Sequence, residues 1–251
     1  MTNAVERNLA YYGQPLAGRD DYWRFMAAPR FRVRTLLAEL SRTRAASVVD
    51  LGCGNGLLLD EVARRFPALE RAGIDLSPAL IEENRRRRPQ AAWHTLDLDR
   101  PDAVAGPLAG RFDAVVASEV IEHVERPDVF LRNAAALAST RGWLLLSTQS
   151  GPVRQTERRV GHVRHFSRRD LAALLADAGW RPSRLWNCGF PFHDLSKWWA
   201  NRRPDATMER FGSRPYGWRE RAVCAALRGA FRLNSRRRGA QLFAVARREG
   251  P

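Results

Sequence analysis

The segment 47–56, with the sequence SVVDLGCGNG, constrains the fold more than any other stretch of this chain. It is a short apolar, β-branched run that ends in an acid and then breaks into three glycines spaced two apart, and a helical pattern resumes at Leu57. Glycine lacks a Cβ and adopts positive φ at little cost, so the backbone there can approach a ligand closely. The segment therefore predicts a nucleotide-type cofactor loop at the carboxyl end of a buried strand.

Short apolar runs alternate with helical patterns along the rest of the chain. Further strands are predicted at 71–75, 91–96, 112–117, 143–147, 185–190 and 241–246. Helices are predicted at 20–26, 31–40, 57–66, 78–88, 128–137 and 171–178, with Pro29 interrupting the first two. This alternation predicts an α/β fold built on a doubly wound parallel sheet with right-handed crossovers.

The length of 251 residues and the hydrophobic content of 45% suit one α/β domain with additional segments. We expect an N-terminal helical lid at 1–44, a cofactor-binding core at 45–189 and 240–248, and a cap inserted at 190–239. The inserted segment is longer than a plain connection and is rich in Trp, Arg and Pro, so it is predicted to form a helical cap. The expected packing anchors of the cap are Trp198, Trp199, Tyr216 and Trp218.

The formal net charge of +15 is concentrated in the C-terminal part of the chain. Residues 1–150 hold 20 basic residues against 19 acids, whereas residues 151–251 hold 22 against 8. A field of that sign attracts phosphates, carboxylates, acidic carrier proteins or nucleic acid. The chain has no apolar run of membrane-spanning length, no signal-peptide pattern in residues 1–10 and no CxxC pair among its three cysteines. These features predict a cytoplasmic protein with reduced thiols and leave the oligomeric state open.

Four predicted strands end in acids, which are Asp50, Asp75, Asp97 and Glu119. The carboxyl ends of parallel strands meet at one edge of a sheet, so these side chains are expected to face one ligand. A carboxylate after the second strand suits a ribose because it can accept hydrogen bonds from both hydroxyls at once. A nicotinamide dehydrogenase has a similar acid, but its glycine pattern is GxGxxG, whereas residues 52–56 read GxGxG.

Four sequence blocks, in order, resemble the class I S-adenosylmethionine-dependent methyltransferases. They are VVDLGCGNG at 48–56, GIDLS at 73–77, LDLD at 96–99 and FDAVVASEVIEHVERP at 112–127, and the resemblance covers residues 45–185. It implies a Rossmann-like, seven-stranded sheet of order 3-2-1-4-5-7-6, with the last strand antiparallel. It also implies S-adenosylmethionine as cofactor and methyl transfer to a nucleophilic atom by in-line displacement.

The resemblance assigns the cofactor site residue by residue. The glycine loop would hold the methionine part of the cofactor, Asp75 its ribose, and Asp97 with Leu98 its adenine. The complete cofactor set implied in this way is Asp50, Gly52, Gly54, Gly56, Asp75, Leu76, Asp97, Leu98 and Glu119.

The block Glu119-Val120-Ile121-Glu122-His123 is the most informative one after the glycine loop. In a helical turn, positions i, i+3 and i+4 share a face, so Glu119, Glu122 and His123 are expected to converge. His162 and His165 follow just before the helix predicted to start after Ser167. The pattern resembles the ubiquinone-biosynthesis O-methyltransferases and, more distantly, the small-RNA 2′-O-methyltransferases, in which ExxEH and a later His hold a metal against substrate hydroxyls.

Two readings of this block remain open. In the first, Glu119, Glu122, His123 and His162 hold a divalent cation, Mg²⁺ or Zn²⁺, which lowers the pKa of the substrate hydroxyl. In the second, no metal is present, Glu119 lies beside the cofactor, and the general base is found among His123, His162 and His165, with Glu122 as a further catalytic candidate. For each histidine taken alone, an ordinary structural role is the favoured interpretation.

Substrate selection is expected to fall to the N-terminal helices and the cap, because the cofactor half is nearly neutral and already occupied. Residues expected to line the acceptor site are Tyr11, Tyr12, Trp23, Arg30, Phe192, His193, Lys197 and Trp198. The sequence thus predicts a methyltransferase acting on a hydroxyl oxygen of a small, anionic or carrier-bound metabolite, with N- or C-methylation still open. The alternatives are an RNA 2′-O-methyltransferase, although no recognised RNA-binding module accompanies the charge, and a non-catalytic regulatory protein that binds S-adenosylmethionine.

Overall fold

A seven-stranded sheet lies at the centre of the computed structural model, which describes residues 6, 9, 12, 17–212 and 215–249. The strands are β1 (Ser47–Leu51), β2 (Glu70–Asp75), β3 (Ala92–Thr95), β4 (Phe112–Ser118), β5 (Ala138–Gln149), β6 (Trp180–Cys188) and β7 (Gln241–Arg248). Their order is β3-β2-β1-β4-β5-β7-β6, and β7 runs antiparallel to both of its neighbours. The predicted fold class and strand order are therefore confirmed.

Helices connect the strands and cover both faces of the sheet. The helices are α1 (Ala17–Phe25), α2 (Ala27–Thr43), α3 (Leu57–Arg65), α4 (Pro78–Arg87), α5 (Pro127–Leu137), α6 (Gln155–Arg159), α7 (Arg168–Asp177), α8 (Phe192–Ala200), α9 (Pro204–Gly212) and α10 (Trp218–Phe231). All five residues of β1 are buried between the two helical layers, as expected for a central parallel strand. One layer packs Phe130 and Leu171 against the sheet, and the other packs Leu36 and Ile81.

Two proline positions differ from the sequence prediction. The break between α1 and α2 lies at Met26, and Pro29 falls in the first turn of α2, where a missing N–H removes no helical hydrogen bond. β6 begins at Trp180, five residues earlier than predicted, and contains Pro182 at a register irregularity. A proline is tolerated there because β6 is an edge strand of the sheet.

The segment 190–239 contains α8, α9 and α10 between the last two strands. Of its four predicted packing anchors, only Tyr216 is buried, with 3% exposure. Trp198, Trp199 and Trp218 are 45%, 70% and 74% exposed, so their assignment as packing anchors is wrong. Within the described part of the chain, no helix has the length and apolarity needed to cross a membrane.

Candidate functional site

The glycine loop after β1 places its three glycines in the left-handed region, with φ of +64° at Gly52, +51° at Gly54 and +75° at Gly56. A Cβ on Gly52 would lie 2.6 Å from Cγ2 of Val120, so that glycine is required by packing. A Cβ on Gly54 would meet no atom within 4 Å, because this residue faces the large cavity at the carboxyl edge of the sheet. Gly54 is therefore the point at which the loop backbone is open to a ligand.

Asp75, at the end of β2, is tied to this loop. Its Oδ2 accepts a hydrogen bond from the Gly54 N–H at 2.8 Å, and its Oδ1 accepts one from the Ser77 N–H at 2.9 Å. Burial raises the pKa of Asp75, and these backbone hydrogen bonds oppose the rise. Asp50 is buried beside it, and its pKa is raised well above the usual value by burial and by the charge of Asp75. Both acids and Leu76 line the cavity.

The segment after β3 lies on the same cavity. Asp97 lines it and is 3.2 Å from the Arg100 guanidinium, while its Oδ1 accepts a hydrogen bond from the Asp99 N–H. Leu98 is buried against the core, and its carbonyl accepts a hydrogen bond from Asn133 on α5. The structure thus brings all nine predicted cofactor residues to one edge of the sheet, and all but Gly56 line the cavity. Their contacts with a cofactor stay predictions.

Glu119 follows β4 with φ of +58°, and residues 119–126 contain no helix, so the predicted helical turn is wrong. Its carboxylate instead turns towards β5 and β7, where Gln149, Gln241 and Ser147 donate hydrogen bonds to it. Arg32 of α2 lies 3.9 Å away. Burial favours the neutral form, but Arg32 and the hydrogen bonds from Gln149 and Gln241 outweigh it and lower the pKa of Glu119 to about 2. Glu119 is therefore an anion that Arg32, Gln149 and Gln241 stabilise.

Glu122, His123 and His162 form a separate cluster, in which one ligating atom of each residue lies within 4.8 Å of those of the other two. Glu122 is fully buried, and burial together with repulsion from Glu119 raises its pKa well above the usual value. Its Oε2 accepts a hydrogen bond from Thr148 at 2.8 Å, while Oε1 has no hydrogen-bond partner among the described residues. Of the four predicted metal ligands, only Glu122, His123 and His162 lie together, because the Glu119 carboxylate is hydrogen-bonded to Gln149 and Gln241.

A row of contacts connects His123 through His162 to His165. The His123 and His162 rings are 4.6 Å apart, and Nδ1 of His162 lies 3.0 Å from Nε2 of His165. Nδ1 of His165 lies 3.1 Å from the Gly151 carbonyl oxygen, and its Nε2 is 3.9 Å from Glu157. Burial lowers the pKa of all three imidazoles, to about 4 for His123 and about 2 for His162. They are therefore neutral at pH 7.

The cavity has a volume of about 1680 Å³. Pockets for a single small molecule are roughly 300–1,000 Å³, so this cavity has room for two ligands side by side. Strand ends form one wall, and helices α1, α8, α9 and α10 form the other. His123 and His162 lie on the lining between the two walls.

Five of the eight predicted acceptor-lining residues line this cavity, which are Tyr12, Trp23, Phe192, His193 and Lys197. Arg30 instead pairs with Glu61 on α3, and Trp198 stacks with Arg202 on the outer side of α8. Tyr11 lies outside the described residues. Lys197 is 2.6 Å from Glu157 and donates a hydrogen bond to Gln149, so its charge is already matched.

Sequence patterns did not identify the residues that hold the site in place. Asn84 of α4 donates to the Gly54 carbonyl at 2.8 Å, and Arg32, Gln149 and Gln241 hold Glu119. Gln149 and Gln241 face each other across the β5–β7 pair, which is a contact between residues 92 positions apart. The one sequence signal that points to them is that Gln149 is the last residue of β5 and Gln241 is the first residue of β7.

A family model described as "Methyltransferase domain" matches residues 22–184. A curated relative, the ubiquinone biosynthesis O-methyltransferase of Xanthomonas axonopodis pv. citri, is 36% identical over 104 residues, which cover 41% of this chain and 43% of the relative. The match therefore spans about two fifths of that protein.

Solved structures share the fold over most of the chain. The N-methyltransferase NodS from Bradyrhizobium japonicum, solved with S-adenosylhomocysteine, is 17% identical with a TM-score of 0.59, covering 98% of this chain and 99% of NodS. The geranyl diphosphate C-methyltransferase of Streptomyces coelicolor is also 17% identical, with a TM-score of 0.58, covering 88% and 76%. At such identities the likeness is one of fold.

Proposed function

The chain belongs to the methyltransferase domain family and has the class I S-adenosylmethionine-dependent fold, and from that premise we propose that it transfers a methyl group from S-adenosylmethionine to a hydroxyl oxygen of a small molecule. The observation that carries the proposal is that one cavity joins the predicted cofactor residues to a cluster of neutral histidines. One ligand would occupy the strand ends, and the other would lie against the histidines under the cap.

The donor would occupy the strand ends, where its binding residues would be those expected from the sequence. The open backbone at Gly54 would admit the methionine part, and Asp75 would accept hydrogen bonds from the ribose hydroxyls through lone pairs that its backbone donors leave available. Asp97 and Leu98 would flank the adenine. Glu119, which is held as an anion, would place negative charge near the sulfonium end, which favours the cationic donor over its neutral product.

The proposed general base is His162, and its tautomer follows from its neighbours. The Gly151 carbonyl can only accept, so the hydrogen of His165 lies on Nδ1 and its Nε2 is an acceptor. Nδ1 of His162 must then donate to that Nε2, which leaves the lone pair of His162 on its own Nε2. The ring lines the cavity, so the base is presented in the form that takes up a proton.

The proposed step moves the proton in two connected transfers. Nε2 of His162 removes the hydroxyl proton while Nδ1 of His162 passes its own proton to Nε2 of His165. This matters because burial makes a charged His162 unfavourable, whereas at His165 the Glu157 carboxylate opposes the same effect of burial. The bound donor would supply the methyl group: the acceptor oxygen would bond to the methyl carbon as the carbon–sulfur bond breaks, with the electron pair left on sulfur in neutral S-adenosylhomocysteine.

The proposed acceptor is anionic or attached to an acidic carrier. Support comes from Arg202 and Arg203, which line the cavity near the end of α8, and from the excess of basic residues in the C-terminal part of the chain. The choice of oxygen as acceptor atom is supported by the neutral imidazole base and by the similarity to a ubiquinone biosynthesis O-methyltransferase.

A divalent cation is a second proposal for the same cluster, favoured by the buried Oε1 of Glu122, which has no hydrogen-bond partner among the described residues. Glu122, His123 and His162 would supply one oxygen and two imidazole nitrogens, a donor set that suits Zn²⁺ better than Mg²⁺. The ion would lower the pKa of the acceptor hydroxyl. The residue that the sequence added to this set, Glu119, is held by Gln149 and Gln241 instead.

Metal analysis of the purified protein separates the two proposals. The transfer of the proton through His162 to His165, called the relay below, predicts no stoichiometric metal and full activity after exhaustive chelation. The metal proposal predicts bound zinc that chelation removes, with a lower melting temperature. Replacement of Glu122 by Gln keeps the hydrogen bond from Thr148 but removes a charged ligand, so it abolishes metal binding and leaves the relay intact.

The function itself is tested by methyl transfer from radiolabelled S-adenosylmethionine to a panel of hydroxylated, amine and carbon acceptors, to acyl-carrier conjugates and to short RNA. The proposal expects label on the oxygen of an anionic or carrier-bound small molecule. Label on RNA alone, or on nitrogen or carbon alone, would contradict it. Tight cofactor binding with no transfer to any acceptor would instead favour the regulatory alternative.

A further inference from the structure

An exposed apolar and basic patch lies at the junction of β6, α8 and the loop after α10, and its residues do not themselves line the cavity. We define the loop patch as Phe190, Arg232, Leu233, Arg236, Arg237 and Arg238. Phe190 is 52% exposed and Leu233 is 73% exposed, although both are large apolar side chains. All four arginines are exposed as well.

Backbone hydrogen bonds hold the two halves of the loop patch together. The Phe190 N–H donates to the Arg238 carbonyl at 2.9 Å, and the Ser235 N–H donates back to the Phe190 carbonyl at 2.6 Å. Oδ1 of Asn234 accepts a hydrogen bond from the Phe192 N–H at 2.8 Å, which fixes Leu233 next to the start of α8. The patch is therefore a preformed surface that joins residues more than forty positions apart.

The charge of the loop patch is uncompensated. Among the residues that the structure describes, none of its four arginines has a carboxylate within the ion-pair distance of 4.0 Å, and residues 231–240 contain no acid. The nearest acid tied to this loop by a hydrogen bond, Asp194, accepts from the Ala240 N–H and from His193. Residues 190–239 as a whole hold 12 basic residues against 4 acids.

We propose that the loop patch docks this protein on a membrane surface that contains anionic lipid. Exposed Arg side chains around a Phe and a Leu have the composition of an interfacial anchor, in which the cations meet lipid headgroups and the apolar tips enter the acyl boundary. Leu233, the more exposed of the two apolar side chains, offers no stacking surface to a base, which favours a lipid surface over nucleic acid although Phe190 is aromatic. The charge also excludes a basic protein surface as the partner.

Vesicle co-sedimentation of the full chain tests the proposal. The wild type is expected to bind vesicles of phosphatidylcholine mixed with phosphatidylglycerol, to bind pure phosphatidylcholine vesicles weakly, and to dissociate as salt is raised. The variant R236S/R237S/R238S should lose roughly tenfold or more in vesicle partition. The variant F190S/L233S should also lose binding while S-adenosylmethionine titration and the melting curve verify that it is folded.

The matched control is R168S/R169S/R181S, which removes the same charge from three exposed arginines outside the loop patch. This control should retain most of the vesicle binding. Absence of wild-type binding to anionic vesicles, equal losses in the control and the patch variant, or binding to short single-stranded RNA in place of vesicles would each overturn the proposal. None of these outcomes depends on methyl transfer, so the experiment tests the loop patch independently of the catalytic proposal.

Discussion

At the scale of single residues, His162 is the residue on which the proposed chemistry depends. Replacement of His162 by Gln should lower kcat by about a hundredfold or more, because the ring nitrogen that removes the hydroxyl proton is lost. Replacement of His165 by Phe should have a smaller effect, about tenfold, since the base keeps its position but loses the acceptor for its second proton. S-adenosylmethionine affinity, measured by calorimetry, should be unchanged in both variants.

The control for these variants is His94→Gln. His94 lies on β3 and does not line the cavity, although burial lowers its pKa as it does for the other histidines. Its replacement should leave turnover within about twofold of the wild type. A turnover number equal to that of the wild type in the His162 variant would contradict the proposal that His162 is the general base.

Substitutions at Gly54 and at a matched glycine distinguish the effect of backbone strain from the effect of ligand contact. Replacement of Gly54 by Ala puts a side chain at φ of +51° and should cost about 1 kcal/mol of stability, as in any left-handed alanine. The new methyl group also projects into the cavity, so affinity for S-adenosylmethionine should fall by more than tenfold. Gly110→Ala is the matched control, because Gly110 has φ of +67° with open space around it and lies outside the cavity lining. Equal cofactor affinities in the two variants would show that the loop is not a binding loop.

At the scale of secondary-structure elements, α4 holds the glycine loop in position. Asn84 is 1% exposed, donates to the Gly54 carbonyl and accepts from Arg88, which in turn forms two hydrogen bonds to Asp60 of α3. Replacement of Asn84 by Ala should cost about 1–3 kcal/mol in the unfolding free energy, because buried partners are left without hydrogen bonds. It should also weaken cofactor binding several-fold.

Asn187→Ala provides the comparison for that variant. Asn187 makes two hydrogen bonds of similar length, to Ser150 and to the Gly239 carbonyl, but it does not line the cavity. Denaturant unfolding should therefore show a loss of stability for both variants, whereas calorimetry should show weaker cofactor binding for Asn84→Ala alone. Unchanged cofactor affinity in Asn84→Ala would mean that the loop keeps its shape without α4.

The elements show which parts of the structure were accessible from the sequence. The order of strands and helices followed from short apolar runs and from the blocks that resemble the methyltransferase family, and both are confirmed. The local conformation of Glu119 was not accessible, because a left-handed glutamate held by Gln149 and Gln241 depends on strands distant in sequence. The exposure of Trp199 was missed for a similar reason, since aromatic composition alone does not distinguish a packing anchor from a surface residue.

At the scale of the whole molecule, the buried histidines make stability depend on pH. The pKa of His123 is lowered to about 4 and that of His162 to about 2. As the pH falls below 6.5, both histidines become protonated in the unfolded chain, whereas in the folded protein they become protonated only near these lower pH values. Their contribution to stability is therefore present at neutral pH and falls as pH decreases. Glu122 and Asp50, whose pKa values are raised by burial, act in the opposite direction.

The double variant H123Q/H162Q isolates the histidine contribution from those opposing carboxyl groups. Between pH 6.5 and about 4, the unfolding free energy of the wild type should decrease more steeply than that of the variant, by about 1 kcal/mol per pH unit for each histidine removed. Denaturant titrations at several pH values measure both slopes. Parallel slopes would mean that these imidazoles are charged in the folded protein.

The most direct test of the central claim is a calorimetric titration of the protein with S-adenosylmethionine and with S-adenosylhomocysteine. The cavity at the carboxyl edge of the sheet predicts that both ligands bind at a single site, and that the Gly54→Ala variant binds either of them more than tenfold more weakly. Absence of binding by both ligands to the folded wild-type protein would contradict the account.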